Sequence, residues 1–130
     1  MGFRQKLFSY LDDGHLGATC YSSPLPATAN TPYVLASMIS STPNQDNLGA
    51  TDTFDRVWQF DIYADTFAEI EPIRDRIWQR LNRPGEWFFM SGLRVWNCRV
   101  ESEMETTELE MQFSETKLSR YTIQARIITE

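Results

Sequence analysis

The sequence carries one histidine, His15, in the run DDGHLG behind Asp12 and Asp13. An imidazole beside two carboxylates suggests a small metal site, but zinc centres need about four ligands at recurring spacings, and this run supplies neither the number nor the spacing. A solvated helix end is the simpler reading. His15 with Cys20 would make a base and a nucleophile for covalent catalysis, yet no recognisable motif surrounds the cysteine. Glu101, Glu103 and Glu105 alternate as residues on one strand face do and offer oxygen donors to a hard cation. Calcium loops, however, gather their ligands in a tight turn about a glycine, which this stretch lacks. The tetrapeptide GHLG is too short for a phosphate loop and has no lysine. These residues predict no metal, no cofactor and no catalytic group.

The remaining chemistry is that of contact. Net charge is −6, which argues against a surface built to grip phosphates, since that affinity comes from an excess of Lys and Arg. The charges are segregated. Six glutamates and no basic residue lie between Glu101 and Glu115, whereas Arg74, Arg76, Arg80 and Arg83 crowd one stretch. At about 100° per helical residue, Arg76, Arg80 and Arg83 fall together, turned away from Ile70, Ile77 and Leu81. Complementary patches on one chain are what a head-to-tail ring requires. The spacing therefore nominates Arg76, Arg80 and Arg83 to meet Glu108 and Glu110 of a neighbouring copy, with Leu109, Met111 and Phe113 supplying apolar burial. Trp87, Phe88, Phe89 and Met90 form a second candidate. Four consecutive bulky groups in a connection cannot all point inward, so they are either a core plug or a partner contact.

These residues need elements to hold them. Phe3, Leu7, Tyr10 and Leu11 have helical spacing, closed by DDG. Residues 14–32, with Pro24, Pro26 and Pro32, read as extended loop, and residues 33–39 (YVLASMI) as a strand. Residues 40–55 (SSTPNQDNLGATDTFD) read as a long polar loop, expected to be mobile in the free protein and ordered on assembly. Trp58, Phe60, Ile62 and Ala64 alternate with Gln59, Asp61 and Tyr63, the period of a half-buried strand. At Asp65 the period changes to 3.6. Thr66 and Glu69 form a capping-box pattern, and Phe67, Ile70, Ile77, Trp78 and Leu81 share one side of the helix that follows. Pro72 inside that helix predicts a kink or a delayed start. Residues 93–103 and 119–129 alternate again as strands, and the intervening METTELEMQFSETK can extend them into a protruding hairpin. The expected core is Trp58, Phe60, Ile62, Ile70, Ile77, Leu81, Trp96, Val100, Ile123 and Ile127.

The expected fold is a single α+β domain over residues 1–130, with a mainly antiparallel four-stranded sheet, two helices on one face, long loops and an extended hairpin. A length of 130 residues suits one domain. No apolar run approaches the ~20 residues of a membrane span, and the N-terminus lacks the continuous apolar core of a signal peptide. The expectation is a soluble protein made in the cytoplasm. Two cysteines, far apart, give no disulfide framework.

The strand VWQFDIYADTF running directly into the helix AEIEPIRDRIWQRLN resembles the tail-completion, or tail-terminator, proteins of long-tailed double-stranded DNA bacteriophages. The short first helix, the proline-marked approach to YVLASMI, and LRVWNCRVESE returning to SRYTIQARIITE support the likeness over most of the chain. Pro72 and residues 14–32 depart from the pattern. The resemblance implies a structural virion protein at the head-proximal end of the tail. Its copies would form a ring, commonly six-fold, that caps the tail tube, stops its polymerisation and offers a joining surface to the head. Implied partners are other copies, the tail tube protein and the neck or connector protein. DNA would only pass through the lumen, and no residue would perform bond chemistry. A neck component on the capsid side is the near alternative. A small-molecule-binding or enzymatic α+β domain is the alternative from another class.

Overall fold

Apolar alternation builds the centre of the sheet. The computed structural model describes residues 2–22, 24–26, 29–46, 49–106 and 119–130, the side chains of 44–46 and 49–52 excepted. Its elements are α1 (Phe3–Leu11), β1 (Thr19–Ser22), β2 (Tyr33–Asp46), β3 (Gly49–Ala64), α2 (Phe67–Leu81), β4 (Phe88–Met90), β5 (Leu93–Thr106) and β6 (Ser119–Thr129). They form one six-stranded sheet in the order β1-β2-β3-β6-β5-β4. The sheet is mixed, because β1 runs parallel to β2 while every other pair is antiparallel. It curls into a half-barrel.

In β3 and β6 the pairs Trp58↔Ala125 and Phe60↔Ile123 place the apolar set of both strands on the inner face. Both helices cover that face. Leu7, Tyr10 and Leu11 of α1 and Ile70, Ile73, Ile77 and Leu81 of α2 enter the same core cluster as Trp58, Phe60 and Ile62. Each fully buried large aliphatic side chain contributes about 1.5–3 kcal/mol by leaving water. Helix α2 begins at Phe67, where the Thr66 hydroxyl accepts a 3.4 Å hydrogen bond from the Glu69 N–H. Pro72 neither delays that start nor interrupts the helix. The carbonyl that loses its donor belongs to Ala68, and both residues are exposed, so water can satisfy it.

Several expectations are corrected. The sheet has six strands rather than four and is mixed, and the protein is mostly β, with 53% strand. The first addition, β1, lies inside the segment expected to be loop, and its four residues are too few to carry a periodic signal. The second, β4, is formed by the expected connection at Phe88 to Met90.

Within the segment 40–55, expected to be loop, residues 40–46 and 49–55 are strand, for β2 and β3 continue through them as a long antiparallel ladder. A ladder is held by backbone hydrogen bonds, so polar residues suit it and no apolar alternation is needed. Pro43 is tolerated because, among the described residues, β1 pairs only with the first part of β2, leaving Pro43 on an edge beside a register shift. β5 runs on to Thr106; the rest of METTELEMQFSETK lies outside the described residues.

Trp96 is also not core. β5 shifts register between Val95 and Asn97, so Trp96 is the inserted residue; Val95 and Cys98 are buried while Trp96 is 42% exposed. Val100 is half-buried at the margin of the cluster. Ile73, absent from the expected core, is buried.

Candidate functional site

The arginine face of α2 is engaged within the protomer. Arg76 Nη2 donates to Asp13 Oδ2 at 2.8 Å, and Arg80 Nη2 lies 3.7 Å from the same oxygen. Arg80 Nη2 also donates to the Tyr10 carbonyl at 2.7 Å, while its guanidinium stacks 3.9 Å above the Tyr10 ring. The Tyr10 hydroxyl returns a 2.8 Å bond to the Arg80 carbonyl. Together these contacts clamp the end of α1 against the last turns of α2. Arg83 stacks 4.3 Å from the Phe88 ring and lies 3.4 Å from Glu86. Arg76 holds the Asp13 carboxyl below its ordinary value of 3.8 by that hydrogen bond. Arg74, outside the nominated trio, grips Glu103 with both Nε and Nη2, at 2.8 and 3.0 Å, and ties α2 to β5. Glu108, Leu109, Glu110, Met111 and Phe113 lie outside the described residues.

The groups first considered for reactions are buried or held in local and structural contacts. The backbone N–H of exposed His15 donates to Asp13 Oδ1 at 3.1 Å, a local turn at the end of α1. Burial pushes the Cys20 and Cys98 thiols up to about 12, which leaves neither as a thiolate nucleophile near neutral pH. The glutamate series is split by a second register shift in β5, between Val100 and Ser102. Glu103 bonds Arg74 on the helix side, whereas Glu101 bonds Arg126 at 2.5 Å in a network with Asp55 and Arg99. Among the described residues no three His, Cys, Asp or Glu side chains converge on a metal site. A shallow cleft of about 250 Å³ lies between Phe67, Ile70 and Tyr121, and its Arg74 is already paired.

The apolar chemistry is concentrated at the β4 edge. Strand alternation in β4 buries Phe88 and Met90 and turns Phe89 outward, 54% exposed, with Trp87 just before it, 57% exposed. The run WFFM is thus both core plug and surface. The Trp87 and Phe89 rings stand at 88° with centroids 5.6 Å apart. Arg94, paired across the ladder with Phe89, sets its guanidinium 5.3 Å from Trp87, 5.5 Å from Phe89 and 5.1 Å from Trp96. Three rings therefore surround one cation. Its Nε is buried without a hydrogen bond and lies 3.6 Å from Glu130 Oε1. Sequence reasoning found Trp87 and Phe89 but missed Arg94 and Trp96. The alternation of Trp87 and Phe89 with Phe88 and Met90 is a strand signal, though only the β5 bulge turns Trp96 to join them.

No protein-family model matches the chain, and no curated protein matches it. Among solved structures, the chain is similar to one from the virion of a native gene transfer agent particle. The two superpose with a TM-score of 0.63 at 16% identity, over 98% of this chain and 90% of that one. At that identity the likeness establishes a shared fold along nearly the whole length of both chains.

Proposed function

We propose that the protein is a structural component of a phage-like virion, acting by self-association and by contact with other virion proteins rather than by bond chemistry. The observation that carries this reading is the fold shared from end to end with a chain of a gene transfer agent virion. The exposed ring cluster on the β4 edge supports it, because contiguous aromatic surface on a folded chain marks a protein contact. In its specific form, copies of the chain join head to tail into a ring, six-fold by the resemblance stated above, at the head-proximal end of the tail. There the ring caps the tail tube, ends its growth and presents a joining surface to the head, in the virion. Partners are other copies, the tail tube protein and the neck or connector protein, with DNA passing through the lumen unbound.

Electron microscopy of the purified protein, alone and mixed with tail tubes, tests the proposal. Rings with a tube-wide hole, seated at one end of tubes of uniform length, are the expected result. Rings that bind isolated heads but not tubes would move the protein to the neck. Particles lacking the protein that still carry tails of normal length and joined heads would refute the terminator role.

A further inference from the structure

The ring cluster at β4 and an exposed apolar segment at the opposite edge of the sheet suit one another. We infer that the platform formed by Trp87, Phe89, Arg94 and Trp96 on one copy receives Pro24, Leu25 and Pro26 of the next copy. This inference rests on the ring reading and names the surface that would hold it.

Position comes first. Among the described residues β4 pairs only with β5 and β1 only with β2, so they are the two outer strands of one sheet. Pro24, Leu25 and Pro26 follow β1 and are all exposed, Leu25 at 37%. A contact between opposite edges uses two different surfaces of each copy, so it propagates head to tail and can close as a ring.

Size is the second argument. With roughly 150–250 Å² per aromatic side chain, the exposed fractions of Trp87, Phe89 and Trp96 leave about 230–380 Å² of ring surface. That is on the order of the apolar core of a standard interface, which buries about 800 Å² on each partner.

Chemistry is the third. The right-angled Trp87 and Phe89 rings make a notch with a cation at its side. Prolines have fixed φ and little conformational entropy to lose, and proline-rich segments dock between aromatic rings for that reason. Pro24, Leu25 and Pro26 carry three carbonyls but one N–H, since proline has none; the Pro26 carbonyl already accepts from the Ala29 N–H at 3.1 Å, which leaves Pro24 and Leu25 to offer theirs. Arg94 is the converse, a side chain of donors only, whose Nε is buried beside Glu130 and so leaves the Nη groups to meet a partner.

The test is sedimentation velocity of the full chain across a concentration range. The variants are Trp87→Ser with Phe89→Ser, Leu25→Asp, and the control Ile39→Ser, which alters an apolar residue 53% exposed elsewhere. The first two should each weaken self-association at least about 30-fold, the loss expected of aromatic and apolar anchors, while the control assembles like wild type. Near-ultraviolet circular dichroism and urea midpoints unchanged from wild type establish that the variants fold. An equimolar mixture of the two defective variants retains one intact pair of surfaces and should give a capped heterodimer, not a ring. If wild type forms rings and both variants do too, the inference is overturned and the ring reading stands. If only the platform variant fails, the platform meets a different part of the neighbouring copy and the inference is again overturned. If wild type stays monomeric both alone and on tail tubes, the ring reading fails and takes this inference with it.

Discussion

Arg80 is the decisive residue for the arginine face, because it can serve either the protomer's own stability or a neighbouring copy. Truncation by Arg80→Ala removes the 2.7 Å hydrogen bond to the Tyr10 carbonyl and the stack on the Tyr10 ring at 3.9 Å. It leaves the Tyr10 hydroxyl bonded to the Arg80 backbone carbonyl, so the measured loss belongs to the guanidinium. A charged hydrogen bond contributes ~1.5–3 kcal/mol when buried; with the Arg80 side chain 28% accessible, the lower end applies. The stack adds ~0.5–1 kcal/mol. The expected cost is therefore about 2 kcal/mol, a fall in Tm of roughly 6–10 °C for a domain of this size. Arg80→Lys keeps the charge but loses the planar stack, and should cost about half as much. Arg80→Glu should cost more than Ala, since it sets a carboxylate beside Asp13 and over the negative face of the Tyr10 ring. Urea unfolding of the protomer, followed by tryptophan fluorescence, reads all three variants. An Arg80→Glu protein with the wild-type midpoint would refute the internal clamp and return the arginine face to candidacy as a subunit contact.

Ile77, fully buried between α2 and the sheet, should cost about 2–5 kcal/mol when cut to Ala, visible as a lower urea midpoint without loss of the cooperative transition. The Asp13 carboxyl, held below 3.8 by Arg76, binds its proton less readily folded than unfolded. Its contribution to stability is complete above that value and disappears as pH falls through the folded value, so Asp13→Asn should flatten the acid limb of a stability profile. The two thiols behave in the opposite sense. With folded values near 12 against an ordinary 9.0, they favour the unfolded state as pH rises above 9. The urea midpoint should fall in that range, and a disulfide reagent at pH 8 should label buried Cys98 quickly only after unfolding.

Local sequence determined the elements whose own periodicity or end signals are strong. The first helix was legible from Phe3, Leu7, Tyr10 and Leu11, and the second from the capping pair Thr66 and Glu69 with Ile70, Ile77 and Leu81 on one side. The strand at Ser119–Thr129 was legible from its period of two. These signals are written within a turn or two of chain, so no distant residue is needed to produce them.

What the sequence could not decide depends on partners far along the chain. β1 and β4 are four and three residues long and exist because neighbouring strands offer them free edges. Residues 40–46 and 49–55 look like loop by composition and become strand by pairing, as a ladder of backbone hydrogen bonds asks nothing of side chains. Alternation alone put Trp96 in the core. One inserted residue in β5 reverses the facing of its side chain, and a bulge is set by how two strands align rather than by the residues of one. The arginines of α2 have the same history: helical spacing gathered them on one side, but only the docking of α1 brought Asp13 and Tyr10 against them. Periodicity tells which residues share a face, and the tertiary fold decides what that face meets.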